Sequence, residues 1–141
     1  MKKILILGAG IYQVPLIKTA KRMGIYTIVA SIPGNYPGFE LADKVCYENT
    51  TDYGKILSIA RREQIDGIIT TGTDVAVITI GRVCDTLGLP GLSFKAAEIA
   101  TDKLLMKSCY EKYGVRTAKF RKISFDDANY AKALADLEFP V

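Results

Sequence analysis

The stretch Ile4-Leu-Ile-Leu-Gly-Ala-Gly-Ile-Tyr-Gln-Val14 joins a short apolar run to a Gly-Ala-Gly turn. Such a run predicts a strand that is buried on both faces, Ile4–Leu7. After the turn, residues 11–23 carry apolar side chains at helical spacing, which predicts a helix that Gly24 ends. The stretch therefore predicts a strand, a glycine turn and a helix, which is the first unit of a parallel α/β sheet.

The same alternation continues to about residue 90. Further buried strands are predicted at 26–30, 45–47 and 67–70, and helices from the Thr51-Asp52 cap to Glu63 and from 75 to 87. Residues 31–38 hold two prolines and two glycines and are predicted to be a loop. Strands that alternate with helices across short loops predict an α/β fold, a Rossmann-like open parallel sheet with helices on both faces.

The pattern changes after Pro90. Short helices are predicted at 94–100, opened by Ser93, and at 102–112, capped by Thr101. A strand is predicted at 119–123, and a capping box at Ser124 and Asp127 predicts a helix to about residue 137. The last residues, Phe139-Pro140-Val141, resemble the start of another strand. We therefore expect the chain to be a fragment of a longer protein, with a short tail packed on the core as the alternative.

The composition excludes several classes of function. The net charge of +4 comes from 19 basic and 15 acidic residues spread along the chain. This suits a small anionic molecule, and we expect neither nucleic acid nor a membrane as a partner. The chain has no histidine and three dispersed cysteines, Cys46, Cys84 and Cys109. This excludes a zinc site and His-based nucleophilic catalysis within these residues, and it predicts buried, reduced cysteines in a cytoplasmic protein.

The Gly-Ala-Gly turn could bind a dinucleotide or another anionic or polar ligand. A dinucleotide fingerprint needs a third glycine where Gln13 stands and an acid at the end of the second strand, which ends at Ala30-Ser31. The turn departs from both requirements. Gly8 and Gly10 still place backbone N–H groups at a helix N-terminus, where an anion can bind, and Gln13 could add an amide contact. A tight turn without a ligand is the structural alternative.

A second polar turn, Thr71-Gly72-Thr73-Asp74, follows the strand at 67–70. Ligands of open parallel sheets bind at this carboxyl edge of the strands. The alternative is that Thr73 or Asp74 caps the following helix. The predicted substrate-binding residues are those of the two turns: Gly8, Gly10, Ile11, Tyr12, Gln13, Thr71, Gly72, Thr73 and Asp74.

Five motifs occur in a fixed order: the Gly-Ala-Gly turn, the Pro-rich loop, Gly-Thr-Asp at 72–74, Leu-Gly-Leu-Pro-Gly at 87–91 and Ala-Thr-Asp-Lys at 100–103. In this order they resemble the N-terminal part of ATP-grasp enzymes, especially proteins similar to the carbamoyl-phosphate synthase large subunit. Biotin carboxylase and carboxyaminoimidazole ribonucleotide synthetase are more distant relatives. The resemblance implies a pre-ATP-grasp domain at 1–92 and the beginning of an ATP-grasp domain at 93–141.

The resemblance also implies a chemistry, in which a carboxylate attacks the γ-phosphate of Mg-ATP and a nitrogen nucleophile displaces phosphate from the acyl phosphate. It implies that Lys103 contacts ATP, with a solvated lysine as the alternative. The metal ligands would lie beyond residue 141, so no catalytic or metal-binding residue is assigned here and the 141 residues alone are predicted to be inactive.

Some relatives carry glutamates where Asp74 stands alone and a glycine where Gln13 stands, so the resemblance leaves the carboxylate and the amine unnamed. A homodimer is one possible assembly, because the apolar helices suggest an interface that is buried against a partner. The alternatives are an NAD(P)- or nucleotide-binding Rossmann protein and a stand-alone small-molecule-binding module without catalysis.

Overall fold

The computed structural model describes residues 1–120 and 122–123. The chain divides into two compact units, one of Met1–Thr101 and one that begins at Asp102. The capping box at Ser124 and Asp127, the helix predicted after it and the strand start at 139–141 lie outside the described residues. The boundary of an ATP-grasp domain at residue 93 stays a prediction.

The first unit is built on a sheet of parallel strands in the order β3-β2-β1-β4. These are β1 Lys3–Leu7, β2 Tyr26–Ser31, β3 Lys44–Tyr47 and β4 Gly67–Ile69. In the centre, Leu5 pairs with Ile28 on one side and with Ile68 on the other. The predicted open parallel sheet is confirmed. Because β2 and β3 extend the sheet on one side of β1 and β4 on the other, the strand order reverses between β1 and β4.

Helices cover both faces of the sheet. The first unit contains α1 Val14–Arg22, α2 Pro37–Leu41, α3 Tyr53–Glu63, α4 Val77–Leu87 and α5 Phe94–Thr101, and the second contains α6 Lys103–Lys112. Leu5 and Leu7 pack into one core with residues of α3 and α4. Ile6 packs into a separate core with Ile17 of α1 and Val29 of β2. Successive side chains of β1 therefore pack alternately into two apolar layers, one on each face of the sheet, as expected for a strand buried on both faces.

Helix α1 begins at Val14, so the prediction that it starts at residue 11 is wrong. Gln13 N–H donates to Gly10 O at 3.0 Å and Val14 N–H to Ile11 O at 3.3 Å, which are bonds of tight turns. The α-helical pattern begins only when Ile17 N–H donates to Gln13 O. Residues 11–13 therefore belong to the glycine turn and extend it.

The segment 31–38 is not all loop, because α2 begins at Pro37. A proline is favourable at the first helical position, where its missing N–H would have no partner in the helix. Gly38, which is buried, donates its N–H to Ala9 O at 2.8 Å. A Cβ on Gly38 would lie 2.7 Å from the same oxygen, so this contact requires a glycine.

The predicted caps are confirmed at α3 and α5 and wrong at α6. Asp52 accepts a hydrogen bond from the backbone N–H of α3, and Ser93 does so for α5. At α6 the cap is Asp102, whose Oδ1 accepts from the N–H groups of residues 104 and 105 at 2.8 and 3.0 Å. Thr101 lies in α5 instead, where its hydroxyl donates to Ala97 O. The carboxylate is the stronger acceptor for two N–H groups.

The strand predicted at 119–123 is absent at residues 119, 120, 122 and 123, which are the described ones. In this second unit, Lys107 Nζ donates to Thr117 Oγ1 at 2.6 Å and to Ala118 O at 3.3 Å. The ammonium also lies over the Phe120 ring. The residues just before the predicted strand are therefore held by a side chain of α6.

All three cysteines are free thiols. Burial raises the pKa of the Cys46 and Cys84 thiols, in agreement with their interpretation as small buried residues, whereas Cys109 is half-buried. In the part of the chain that the structure describes, no helix combines the length and the apolarity that a membrane span requires.

Candidate functional site

A cleft of about 470 Å³ opens in the first unit at the carboxyl edge of the sheet. Its walls come from the carboxyl ends of all four strands and the segments that follow them. The lining residues are 7–10, Tyr12 and Gln13 at β1, Ser31, Ile32 and Tyr36 at β2, Asn49–Thr51 after β3, and Gly72, Thr73 and Val75 after β4. The β1 and β4 segments flank the point where the strand order reverses. This is where open α/β sheets leave a crevice for ligands.

The cleft brings together residues of both predicted turns. Of the nine predicted substrate-binding residues, six line it: Gly8, Gly10, Tyr12, Gln13, Gly72 and Thr73. Ile11, Thr71 and Asp74 are not among the lining residues. Whether these nine residues bind a substrate stays a prediction.

Hydrogen bonds from side chains to backbone carbonyls join the two turns. The Gln13 amide nitrogen donates to Thr71 O, and the Thr71 hydroxyl donates to Tyr12 O at 2.9 Å. Beside them, the Thr70 hydroxyl donates to Leu7 O at 2.6 Å. The Thr71 hydroxyl and the nitrogen end of the Gln13 amide are therefore used within the protein. Only the oxygen end of that amide remains for the substrate contact that the sequence predicted.

Two glycines allow the turns to approach each other. Gly72 has φ +64°, and a Cβ there would lie 2.6 Å from Tyr12 Cβ. Gly8 has φ +100°, and a Cβ there would lie 3.0 Å from Gln13 Cδ. A side chain at either position would combine a strained backbone with a steric clash. The glycines are therefore needed for the packing of the site as well as for the turns.

The turn after β4 does not cap α4 through a side chain. Helix α4 begins at Val77, two residues later than predicted, and its N-cap residue Ala76 offers no side-chain acceptor. Asp74 takes part through its backbone oxygen, which accepts from Val77 N–H at 3.1 Å. The capping role considered for Thr73 or Asp74 is therefore wrong. Thr73 lines the cleft, and the exposed Asp74 carboxylate has no hydrogen bond or ion pair with the described residues.

The cleft carries no formal charge from its described side chains. None of the residues that line it is Lys, Arg, Asp or Glu. The Gly8 N–H donates to Ala30 O at 2.8 Å, so the expectation that it is offered to an anion is wrong. The backbone N–H groups of Gly10, Ile11 and Tyr12 donate to no other group in the described part of the chain. The glycine turn therefore offers uncharged donors, which could hold an acceptor oxygen of a ligand.

The contribution of β2 and β3 to this cleft was not predicted from the sequence. Asn49, Thr50 and Thr51 line it, and Asn49 Oδ1 accepts from both the N–H and the hydroxyl of Thr51 at 2.9 Å. Tyr36 also lines the cleft, and its ring contacts Phe39 edge to face. The sequence feature that could have identified these residues is their position in the loops that follow the strands, because the carboxyl ends of parallel strands meet at one edge of the sheet.

Lys103 belongs to the second unit. It is the first residue of α6, it is exposed, and its ammonium has no hydrogen bond or ion pair with the described residues. An unpaired ammonium is compatible with a polyphosphate ligand. Within residues 1–120 and 122–123, no group of three or more Asp, Glu, Cys or His side chains could hold a metal ion.

Comparison with known proteins gives a consistent family of relatives, although no family model matches the chain. The structure superposes on phosphoribosylglycinamide synthetase from Anaerococcus prevotii with a TM-score of 0.82 and 34% identity, over 99% of this chain and 35% of that one. N5-carboxyaminoimidazole synthetase from Staphylococcus aureus, solved in complex with ADP, gives a TM-score of 0.74 and 18% identity over 94% of this chain and 35% of that one. This second likeness concerns the fold alone.

A curated relative is the alanine–anticapsin ligase of Bacillus subtilis strain 168, which is 29% identical over 87 residues, or 62% of this chain and 18% of that protein. The chain thus spans about a fifth of this relative and about a third of the solved structures. These relatives are ATP-grasp enzymes, and the match falls in their N-terminal part. By fold and by sequence, the chain matches the N-terminal part of ATP-grasp enzymes, which confirms the resemblance to this superfamily predicted from its motifs. The particular similarity to the carbamoyl-phosphate synthase large subunit stays a prediction.

Proposed function

We propose that the chain is the N-terminal part of an ATP-dependent ligase that joins a carboxylate to an amine or ammonia through an acyl phosphate. The observation that carries this proposal is the cleft at the reversal of strand order, which is built by both predicted turns on a scaffold shared with ATP-grasp enzymes. The similarity to an alanine–anticapsin ligase supports a reaction of this class. Ligands of open parallel sheets bind at this crevice, which supports a substrate site.

In this proposal the first unit holds a substrate and the second contributes to the nucleotide site. Mg-ATP would supply the phosphoryl group that activates the carboxylate. The cleft residues Gln13, Gly72 and Thr73 would orient the substrate, and the Lys103 ammonium would lie beside the polyphosphate and offset its negative charge. Catalysis of this kind depends on positioning and charge neutralisation. A part of the enzyme that holds no catalytic residue can therefore contribute by orienting the substrate and by offsetting the charge of the polyphosphate.

The described residues offer no set of ligands for magnesium, so no step through the metal is assigned to them. Its ligands are expected beyond residue 141, in the part of the enzyme that the relatives possess in addition. We therefore expect the 141 residues alone to show no ATP-dependent ligation.

A dinucleotide-binding role is the main alternative, and two features speak against it. The third glycine of the fingerprint allows close packing of helix and strand, but here the Gln13 side chain lies against Gly8. β2 ends at Ser31, which lines the cleft where the ribose-binding carboxylate of a dinucleotide site would stand.

Titration of the intact gene product with Mg-ATP and with NAD(P)H by calorimetry distinguishes these functions. We expect saturable binding of Mg-ATP, with a dissociation constant in the range of roughly 1 μM to 1 mM that is usual for enzyme substrates, and no binding of NAD(P)H. Tight NAD(P)H binding without ATP binding would overturn the ligase in favour of a Rossmann dehydrogenase. Binding of neither nucleotide would leave the small-molecule-binding module as the better account.

A further inference from the structure

The orientation of the Gln13 amide is determined by its partner. Gln13 is 5% exposed, and one end of its amide faces the backbone oxygen of Thr71. A carbonyl oxygen can only accept a hydrogen bond, so the end that faces it must be the NH₂ group. The other end of the amide, Oε1, can only accept a hydrogen bond. Gln13 is therefore locked with an acceptor on the side away from Thr71.

Oε1 lies beside the glycine turn that lines the cleft. It is 3.1 Å from the position of a Cβ on Gly8 and 3.3 Å from that of a Cβ on Gly10, and all three residues line the cleft. No group in the described part of the chain donates to it. Every fully enclosed side-chain polar atom of the described residues has a partner, so Oε1 must retain contact with the cleft. A ligand that covers this oxygen must therefore bring a hydrogen-bond donor, because a polar atom left unpaired when the ligand excludes water is unfavourable.

The surroundings of Oε1 specify the ligand further. The lining has no Lys or Arg, so a phosphate or carboxylate at this position would lie beside an acceptor oxygen with no side-chain cation to offset its charge. The N–H groups of the lining residues Gly10 and Tyr12 have no partner among the described residues and can donate to an acceptor oxygen of a ligand. A group that both donates and accepts, and that carries no charge, would satisfy the two requirements together.

We propose that Gln13 is a specificity-determining residue of this cleft, and that the substrate group that contacts it is an uncharged carboxamide-like group with an N–H donor beside an acceptor oxygen. Its N–H donates to Gln13 Oε1 and its oxygen accepts from the glycine turn. The group anchors the substrate and is distinct from the reacting carboxylate. The assignment as a substrate site rests on the proposed ligase function, whereas the selectivity of the cleft rests on its geometry alone.

A matched pair of probes tests the selectivity. Propionamide and propionate differ only in a terminal carboxamide or carboxylate, so only the first carries the proposed group, and inorganic phosphate serves as a third probe. Each is titrated into the ¹⁵N-labelled 141-residue chain without nucleotide, and the signals of the Gly8 and Gly10 amides and of the Gln13 side-chain NH₂ are followed. We expect saturable shifts with the carboxamide and an affinity about 10-fold higher than for the carboxylate, equivalent to about 1.4 kcal/mol.

Two variants connect the preference to Oε1. Gln13→Met keeps the size of the side chain but removes the acceptor, and we expect the preference for the carboxamide to fall to roughly 3-fold or less. Thr70→Val removes a hydrogen bond between the same two strand ends at a residue that does not itself line the cleft, and it should keep the full preference. Tighter binding of the carboxylate or of phosphate at Gly8 and Gly10, or no saturable shift with the carboxamide, would overturn the proposal.

This result can be distinguished from that of the titration with Mg-ATP and NAD(P)H, because the probe titrations contain no nucleotide. A carboxamide preference in a protein that does not bind ATP would overturn the ligase alone. Loss of the preference in a protein that does bind ATP would overturn only the role of Gln13.

Discussion

The side-chain amide of Gln13 donates a hydrogen bond to the backbone oxygen of Thr71, a residue 58 positions further along the chain. Through this bond the turn after β1 and the turn after β4 form one structure at the reversal of strand order. The Thr71 hydroxyl returns a hydrogen bond to Tyr12 O, so each turn supports the other. The shape of the cleft therefore depends on contacts between its own walls.

Replacing Gln13 by alanine should destabilise the protein by about 1–3 kcal/mol, because the partly buried Thr71 O loses its partner and the buried Gln13 side chain is truncated. Unfolding by urea, followed by circular dichroism, measures this change. Lys18→Ala, an exposed position of α1 without an ion pair in the described residues, is the control and should change the free energy of unfolding by less than about 0.5 kcal/mol. Equal stability of the two variants would show that the Gln13 bond contributes nothing.

The contact between Gly38 and Ala9 gives a steric prediction. Gly38→Ala would place a Cβ 2.7 Å from Ala9 O and should destabilise the protein by about 1–3 kcal/mol by forcing α2 away from the glycine turn. Gly54→Ala in α3 is the matched control, because its Cβ would meet only Asp52 Oδ1 at 3.5 Å. The control should be neutral or more stable by roughly 0.5–1 kcal/mol in the same urea experiment. A Gly38→Ala protein as stable as the control would contradict this account of the contact.

Asp43 connects β2 to the segment before β3 through a charged network. Its Oδ2 accepts from the backbone N–H and the hydroxyl of Thr27, both at 2.8 Å, and its Oδ1 accepts from Lys21 Nζ at 2.6 Å. These hydrogen bonds, with that of Lys21 the largest cause, lower the pKa of the Asp43 carboxyl from 3.8 to about 2. The charged form of Asp43 is thus stabilised in the folded protein.

Because the pKa is lower in the folded state, the stabilisation is complete above about pH 4 and is lost as the pH falls towards 2. With the carboxylate 27% exposed, we expect a contribution on the order of 1–2 kcal/mol at neutral pH. Asp43→Asn should be less stable than the parent by this amount at pH 7, and the difference should nearly vanish at about pH 2. A difference that does not change between these pH values would contradict the assignment. Glu40→Gln, at an exposed position with no described ion pair, controls for the loss of one negative charge.

Lys103 allows a test of the nucleotide site in the intact gene product. Lys103→Met should lower the affinity for Mg-ATP by about 10- to 100-fold, since it removes a charge-assisted contact worth about 1.5–3 kcal/mol. Its stability should not change, because the side chain is exposed and unpaired among the described residues. Lys18→Met removes an equivalent exposed charge from α1 and should leave ATP binding unchanged. Equal ATP affinity of the two variants would leave Lys103 as a solvated lysine.

The sheet could be predicted from the sequence because its strands are short apolar runs bounded by glycine or polar residues, as in Ile4–Leu7. The edge at which the two polar turns meet followed from the direction of parallel strands. The starts of α1 and α4 were predicted too early, because apolar periodicity does not distinguish a helix from the tight turn that precedes it. The hydrogen bond from Val14 N–H to Ile11 O decides that boundary at α1, and it is not visible in composition.

The interior of the site was harder to predict than its location. Gln13 could be identified as a departure from the dinucleotide fingerprint, but its partner Thr71 depends on how two distant turns pack. Asn49 and Thr50 carry no motif and enter the cleft only because β3 ends at the same edge of the sheet. Tertiary packing therefore decided which polar side chains are available to a ligand and which are used within the protein.

The mass of the intact protein in its native cell, measured by blotting with an antibody to this segment, tests the central claim most directly. The chain of 15.4 kDa spans about a third of the solved ATP-grasp relatives and about a fifth of the curated ligase. An N-terminal part of such a ligase predicts a band several times heavier than 15.4 kDa. A single band at 15.4 kDa would contradict the claim, because the protein would then lack about two thirds of the length of the solved relatives.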